Sequence, residues 1–96
     1  MRDNAESLNI RSEKFAVGGH NAGGGLTAAV TLKVFDTQDV KIAFQMPIYP
    51  MIDHRHNTAS ALAMDEGVPA WNTTTKAYGW KKYLENIEGD VPVYAS

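Results

Sequence analysis

The sequence predicts an α/β fold built on one βαβ unit of a parallel sheet with flanking helices. A short apolar run with a β-preferring Phe and Val, residues 14–17, enters a glycine-rich turn at 18–25. A run of apolar and helix-forming residues leaves the turn, and a mostly apolar segment follows over 40–49. Strand, helix and strand in this order make a right-handed crossover, the building unit of a parallel sheet.

Length and composition favour one water-soluble domain, and we expect residues 1–96 to form a single domain or part of one. Hydrophobic residues make up 44% and charged residues 21%, as in globular proteins. The net charge is −2 and the basic residues are scattered, which disfavours nucleic acid and anionic membranes as partners. The chain has no cysteine and no signal-peptide-like N-terminus, so we expect a cytoplasmic protein.

The N-terminal residues and the first strand come before the turn. Residues 1–8 are mostly helix formers and predict the last turns of a helix. Asn9 suits the left-handed residue that closes a helix, and Ile10 supplies the accompanying apolar contact. The first strand is predicted to end at Gly18 and Gly19.

The helix after the turn is predicted over Ala22 to Phe35 and has little polar face, so it needs cover on more than one side. The next strand, 40–49, lacks strict alternation, which is typical of an interior parallel strand. Pro47 is discordant there because proline cannot donate to the ladder; it marks an edge or a bulge, or it weakens the strand. Pro50 ends the strand.

The C-terminal half is less regular. Residues 51–71 predict a loop, with a short helical segment around 60–65. Thr73 or Thr74 is predicted to cap a second clear helix, and Gly89 to close it. The apolar stripe of this helix consists of Ala77, Trp80, Leu84 and Ile87.

The turn also carries a recognisable motif. Gly19-His20-Asn21-Ala22-Gly23 fits the G-x-S-x-G nucleophile elbow at every position except its centre. With the segments around it, nearly the whole chain resembles the hormone-sensitive-lipase-type branch of carboxylesterases and lipases, which have the α/β-hydrolase fold. Those segments are Phe15–Gly19, Gly24–Leu26, Ile42–Gln45, Ile48–Met51, Trp71, Trp80, Tyr83-Leu84 and Tyr94–Ser96.

The resemblance implies a partial α/β-hydrolase fold and hydrolysis of a small acyl ester by acyl transfer, without a cofactor. It places Asn21 at the nucleophile position and the backbone N–H of Ala22 as one oxyanion donor. Gly19 and Gly23 keep the elbow compact, because side chains there are expected to collide where strand, turn and helix approach. The family's oxyanion motif lies before this segment and its acid and histidine after it, so residues 1–96 lack them.

Asn21 opposes the implied activity. An amide has no hydroxyl for a histidine base to activate, and loss of the nucleophile lowers turnover about 10⁶-fold in a serine hydrolase. Asparagine does tolerate the positive φ of a strained elbow. We therefore expect a catalytically inactive hydrolase segment; the alternative is a non-catalytic binding or assembly module that self-associates through exposed sheet edges. Deamidation of Asn21 to Asp is a further way to place a reactive group, a carboxylate, at the nucleophile position. Alanine at position 22 favours this reaction less than glycine would.

Other segments could suggest a binding or catalytic site, and each has a simpler interpretation. Neither G-x-G-x-x-G nor G-x-x-x-x-G-K-[ST] fits residues 18–26, which opposes a phosphate-binding turn. Residues 53–56, Asp-His-Arg-His, lack i, i+4 histidine spacing and predict a solvated loop rather than a metal site, with Asp53 orienting nearby backbone. His20 occupies a variable motif position. Trp80 is expected in the core rather than in a ligand pocket.

Overall fold

The computed structural model describes residues 1–63 and 69–96. A 3-10 turn at Arg2–Asn4 is followed by strand β1 (Phe15–His20), helix α1 (Ala22–Thr37), strand β2 (Ile42–Ile48), helix α2 (Ala59–Ala63) and helix α3 (Thr73–Leu84). These residues form two compact units, Met1–Ile52 with Val93–Ala95, and Asp53–Pro92 with Ser96.

The first unit contains the predicted βαβ crossover. β1 and β2 pair in parallel and α1 packs against both strands, so the predicted α/β fold class is confirmed. The register shifts between Phe15 and Ala16. Pro47 lies inside β2 opposite Gly19 rather than at this register shift. Proline is tolerated there because β2 pairs with one described strand only and is an edge strand of this sheet.

β1 is longer than the sequence predicts. Its end was expected at Gly18 and Gly19, but both glycines pair with β2 and the strand continues to His20. Phe15, Val17 and Gly19 are half-buried, and the residues between them are exposed. The alternation follows from the period of two in a strand, since α1 covers one face of the sheet. Gly19 is required inside the strand because α1 approaches its face closely, and a Cβ there would collide with Gly23.

α1 begins at Ala22 as predicted and runs two residues further than expected, to Thr37. Gln38 then adopts a left-handed conformation, and its backbone N–H donates to the carbonyl of Val34. The helix leaves apolar residues exposed, among them Leu26 and Phe35, and β2 does the same at Phe44. The predicted need for further cover on this helix agrees with that exposure.

The N-terminal residues form turns rather than a regular α-helix, with the 3-10 segment at Arg2–Asn4. Asn9 has φ 54°, as predicted for the residue that closes the segment. The N–H of Ile10 donates to the carbonyl of Ala5 at 3.0 Å, the six-residue hydrogen bond typical of such a closure. Ala5 is buried, and this helps to fix the segment.

The second unit contains α2, α3 and the loops around them. α2 overlaps the helical segment expected around residues 60–65, of which Met64 and Asp65 lie outside the described residues. α3 begins one residue earlier than a Thr73 cap would allow, because Asn72 is the N-cap. It ends at Leu84, so the prediction that Gly89 closes it is wrong; Gly89 has φ 82° in the loop beyond. Trp80 is 6% exposed, which confirms it as a core residue.

None of the helices within residues 1–63 and 69–96 combines the length and the apolar character needed to cross a bilayer.

Candidate functional site

The tip of the turn between β1 and α1 is Asn21, whose backbone has φ 54° and ψ −118°. These values lie outside the left-handed helical region and match the first central position of a type II′ turn, which glycine normally occupies. A non-glycine residue held in such a region stores about 1–3 kcal/mol of strain. The sequence prediction of a strained, positive-φ residue at this position agrees with these angles.

Backbone hydrogen bonds hold Asn21 in this conformation. Its N–H donates to the carbonyl of Ile48 at 3.1 Å, at the end of β2. Its carbonyl accepts from the N–H of Met51 at 3.2 Å and from the N–H of Gly25 at 3.1 Å. The elbow is therefore fixed by the neighbouring strand and by the first turn of α1, whereas the Asn21 side chain accepts no capping hydrogen bond from that turn.

Glycines around the elbow permit close backbone approach. Gly19 does so as the motif predicts, but Gly24 rather than Gly23 is a second such position. A Cβ at Gly19 would lie 2.6 Å from the carbonyl carbon of Gly23 and 3.0 Å from the Thr27 hydroxyl oxygen. A Cβ at Gly24 would lie 2.8 Å from the carbonyl oxygen of Ile48. These distances are shorter than van der Waals contact, so both positions require glycine in this backbone.

The collision expected at Gly23 is wrong. A Cβ there would have no neighbour within 4 Å among the described residues outside its own helix turn. The closest approach instead involves Gly25, where a Cβ would collide with the carbonyl oxygen of Met51. The sequence does indicate a steric requirement at Gly24 and Gly25. Glycine in a helix is unfavourable by about 0.5–1 kcal/mol relative to alanine, so a run of three glycines there needs a steric reason.

Thr27 is a packing residue that the sequence reasoning missed. It is 3% exposed and is the buried polar residue on the side of α1 that meets Gly19. Its hydroxyl donates to the carbonyl of Gly23 at 2.8 Å, which satisfies the buried oxygen. A threonine four residues after a glycine on a helix has no distinctive sequence pattern, so no periodicity signal would have indicated it.

Ala22 is the first residue of α1, as the resemblance required of an oxyanion donor. The first N–H groups of a helix have no intrahelical acceptor. Across residues 1–63 and 69–96, no backbone carbonyl accepts a hydrogen bond from the Ala22 N–H. The group is thus available at the positive end of the helix dipole, next to Asn21.

His20, the residue before Asn21, is the exposed end of β1. Its ring lies 6.1 Å from the ring of Tyr49, measured between centroids, with a tilt of 52°. His20 ends β1 and Tyr49 directly follows β2, and the register brings His20 opposite Ile48. A surface aromatic contact agrees with the interpretation of His20 as a variable motif residue.

The second unit contains a serine–histidine hydrogen bond that sequence reasoning did not find. The Ser96 hydroxyl oxygen lies 2.6 Å from Nδ1 of His54 and accepts from the His54 backbone N–H at 2.9 Å. Which of the two atoms donates depends on the tautomer of the ring, because a hydroxyl oxygen can donate one hydrogen bond and accept two. The His54 ring also packs edge-on against Trp80 at 6.1 Å.

Residues 53–56 do not converge as metal ligands. The Asp53 carboxylate accepts from the Arg55 guanidinium at 2.7 and 2.9 Å and from the Arg55 backbone N–H at 2.9 Å. These hydrogen bonds hold the pKa of Asp53 well below its usual range, and Asp53 orients backbone as predicted. Nε2 of His56 is buried without a hydrogen-bond partner in the described part of the chain. Within that part, no group of three His, Asp or Glu side chains is placed to hold a metal ion.

Comparisons with known proteins agree with this geometry. The sequence model of a family described as alpha/beta hydrolase fold matches residues 1–96. Among solved structures, a bacterial heroin esterase superposes with a TM-score of 0.89 at 38% sequence identity. The match covers 99% of this chain and 31% of that esterase, so the chain spans about a third of the length of the solved relative. A search of curated proteins gave no match.

Proposed function

The chain belongs to the α/β-hydrolase fold family, and on that basis we propose that residues 1–96 form the nucleophile-elbow segment of a carboxylic-ester hydrolase scaffold that carries no nucleophile. The resemblance to the hormone-sensitive-lipase-type branch is confirmed. A relative named as an esterase, 38% identical, supports ester hydrolysis as the inherited reaction. Small acyl esters are the substrate class of this proposal.

The observation that carries the proposal is the conformation of Asn21. Its φ of 54° and ψ of −118° place the side chain at the tip of a strained turn, next to a helix N–H without a described carbonyl acceptor. A serine at such a tip attacks an acyl carbon, and the adjacent N–H stabilises the oxyanion that forms. The amide of Asn21 cannot attack, so this segment keeps an oxyanion donor and no covalent catalyst.

The direct test is an esterase assay of the purified chain with p-nitrophenyl acetate. We expect hydrolysis no faster than in buffer, and no loss of signal after treatment with a serine-directed phosphonate. Turnover that the phosphonate abolishes would contradict the proposal, because it would require an activated serine elsewhere in the chain.

A graft separates the effect of Asn21 from the length of the chain. Residues 1–96 replace the matching third of the bacterial heroin esterase, with Asn21 unchanged, as Asn21→Ser, or as Asn21→Ala. We expect the Asn21→Ser graft to hydrolyse the ester, and the other two to be slower by a factor on the order of 10⁶. Equal activity of the Asn21 and Asn21→Ser grafts would refute the role of Asn21. A folded but inactive Asn21→Ser graft would refute the ester-hydrolase scaffold.

A second candidate function is a non-catalytic assembly module that associates with copies of itself. It is favoured by apolar residues on α1 and β2 that remain exposed, with Phe35 at 71% and Phe44 at 61%. Exposed apolar patches and unpaired strand edges promote association in water. Analytical ultracentrifugation tests this candidate: Phe44→Lys on β2 should shift an oligomer toward monomer, while Tyr78→Lys on α3 should not. A compact monomer at all concentrations would exclude it.

A further inference from the structure

The Asn21–Ala22 peptide has the geometry of an asparagine poised to cyclise. Because the substituents of a tetrahedral Cα are evenly spaced around the Cα–C bond, a ψ of −118° nearly eclipses the Cα–Cβ bond with the C–N bond to Ala22. A five-membered succinimide ring, which contains both bonds, requires that planar arrangement. Helical and extended values of ψ turn the two bonds apart, so an ordinary asparagine must leave its folded conformation before it can react.

The attacking nitrogen is also accessible. Attack requires the Ala22 nitrogen to lose its proton, which a hydrogen bond to a carbonyl would hinder. No backbone carbonyl in the described residues accepts from the Ala22 N–H. The N-terminus of α1 is the positive end of the helix dipole and favours negative charge on that nitrogen.

We propose that Asn21–Ala22 is a site of spontaneous succinimide formation and deamidation, because the elbow holds the reacting bonds in the plane of the ring. The Ala22 nitrogen attacks Cγ of Asn21, the Cγ–N bond breaks, and ammonia leaves with the proton lost by Ala22. Water then adds to one ring carbonyl and opens the ring to aspartate or isoaspartate. The net reaction is hydrolysis of one amide, with water as the only co-reactant.

The product changes the chemistry of the elbow whether or not the scaffold hydrolyses esters, so this inference does not depend on the proposed function. While the ring is closed, Ala22 has no N–H, and the candidate oxyanion donor is absent. Ring opening restores the N–H and leaves a carboxylate at the N-terminus of α1, where the helix dipole stabilises negative charge. An isoaspartate product inserts a backbone methylene at the tip of the turn.

The chain supplies its own matched control. Of its six asparagines, Asn4 and Asn21 are followed by alanine, and the other four by a β-branched residue that hinders attack. Asn4 ends the 3-10 turn Arg2–Asn4, and the N–H of Ala5 after it donates to the carbonyl of Arg2 at 3.2 Å. The two Asn-Ala pairs thus share their local chemistry and differ in backbone conformation.

The experiment incubates the folded chain at mildly alkaline pH and follows both sites by isomer-resolved peptide mapping and ammonia release. We expect Asn21 to convert faster than Asn4 by a factor on the order of ten or more, since preset orientation removes part of the barrier. In concentrated urea at the same pH the two rates should converge. Asn21→Gln should slow conversion at that position, because the longer side chain closes a six-membered ring less readily.

Equal rates at the two sites in the folded chain, or a slower rate at Asn21, would overturn the proposal. A difference that persists unchanged in urea would also overturn it, because local sequence rather than the folded elbow would then set the rates. Circular dichroism before and after incubation establishes that the chain stays folded while Asn21 reacts. An equal or slower conversion at Asn21 would not change the activity expected of the esterase grafts, so the two proposals are tested separately.

Discussion

The carbonyl oxygen of Asn21 accepts a hydrogen bond from the backbone N–H of Met51 at 3.2 Å, which ties the tip of the elbow to the residues just beyond β2. The N–H of Asn21 donates in turn to Ile48, so both backbone polar groups of this residue are anchored to the same strand end. The positive φ is therefore imposed by backbone pairing, and the side chain contributes no capping hydrogen bond to it.

We predict that Gly19→Ala destabilises the chain by about 2 kcal/mol or more, because overpacking against fixed backbone typically costs 1–3 kcal/mol. The new Cβ would lie 2.6 Å from the carbonyl carbon of Gly23, which cannot move without displacing α1. The free energy of unfolding, measured by urea denaturation, checks this prediction.

Gly23→Ala is the control for that substitution. Its Cβ meets open space among the described residues, and alanine is the better helix former by about 0.5–1 kcal/mol. The variant should be as stable as the parent chain or slightly more stable. Equal losses for the two variants would show that the spacing of the motif, rather than the packing described, determines where glycine is required.

The N-terminus of α3 provides a second prediction. The Asn72 side chain accepts from the Thr75 N–H at 3.0 Å, and the Thr75 hydroxyl accepts from the Asn72 N–H at 2.9 Å. Asn72→Ala should lower the free energy of unfolding by about 1 kcal/mol, the usual loss when a capping side chain is removed. Asn86→Ala, exposed beyond the other end of α3, should change it by less than about 0.5 kcal/mol. Equal losses for Asn72→Ala and Asn86→Ala would contradict the cap.

A third prediction concerns alkaline pH. The Tyr94 hydroxyl donates to the Asp36 carboxylate at 2.6 Å, and this hydrogen bond raises the pKa of Tyr94 above its ordinary value near 10. Since the raised pKa belongs to the folded state, the hydrogen bond contributes stability below the ordinary pKa, and that contribution is lost as the pH rises through the folded value. The contribution of Tyr94 to the absorbance titration is the difference between the curves of the chain with Tyr94 and with Tyr94→Phe. The midpoint of this contribution should move to lower pH when Asp36→Ala is introduced. An unchanged midpoint would refute the contact.

Local sequence patterns predicted the βαβ crossover and those boundaries that one strong sequence signal marks. α1 begins at Ala22 because the glycine-rich turn interrupts the apolar pattern there. The end of β1 was mispredicted because glycine normally interrupts a strand, whereas Gly19 extends it and makes room for α1. The predicted capping residue of α3, Thr73 or Thr74, is wrong by one or two positions because asparagine and threonine both suit an N-cap.

Contacts between distant residues were beyond sequence reasoning. His54 and Ser96 are 42 positions apart, and neither lies in a helix or a strand, so no periodicity relates them. No periodicity relates Asp36, in α1, to Tyr94 either, because the two residues are 58 positions apart. The position of Asn21 was predictable from the motif, but its ψ, which decides whether the side chain lies in plane with the next peptide nitrogen, was not.

The anchoring of Asn21 through its backbone makes the tip of the elbow an exchangeable position. The shape of the elbow is determined by the neighbouring glycines and by the end of β2. Substitution of the tip residue therefore changes the exposed functional group and leaves the interactions that shape the turn in place. A single substitution at the tip can remove or restore a reactive group while the glycines still meet the steric requirement of the turn. The glycines therefore determine the shape of the elbow, and the residue between them determines its chemistry.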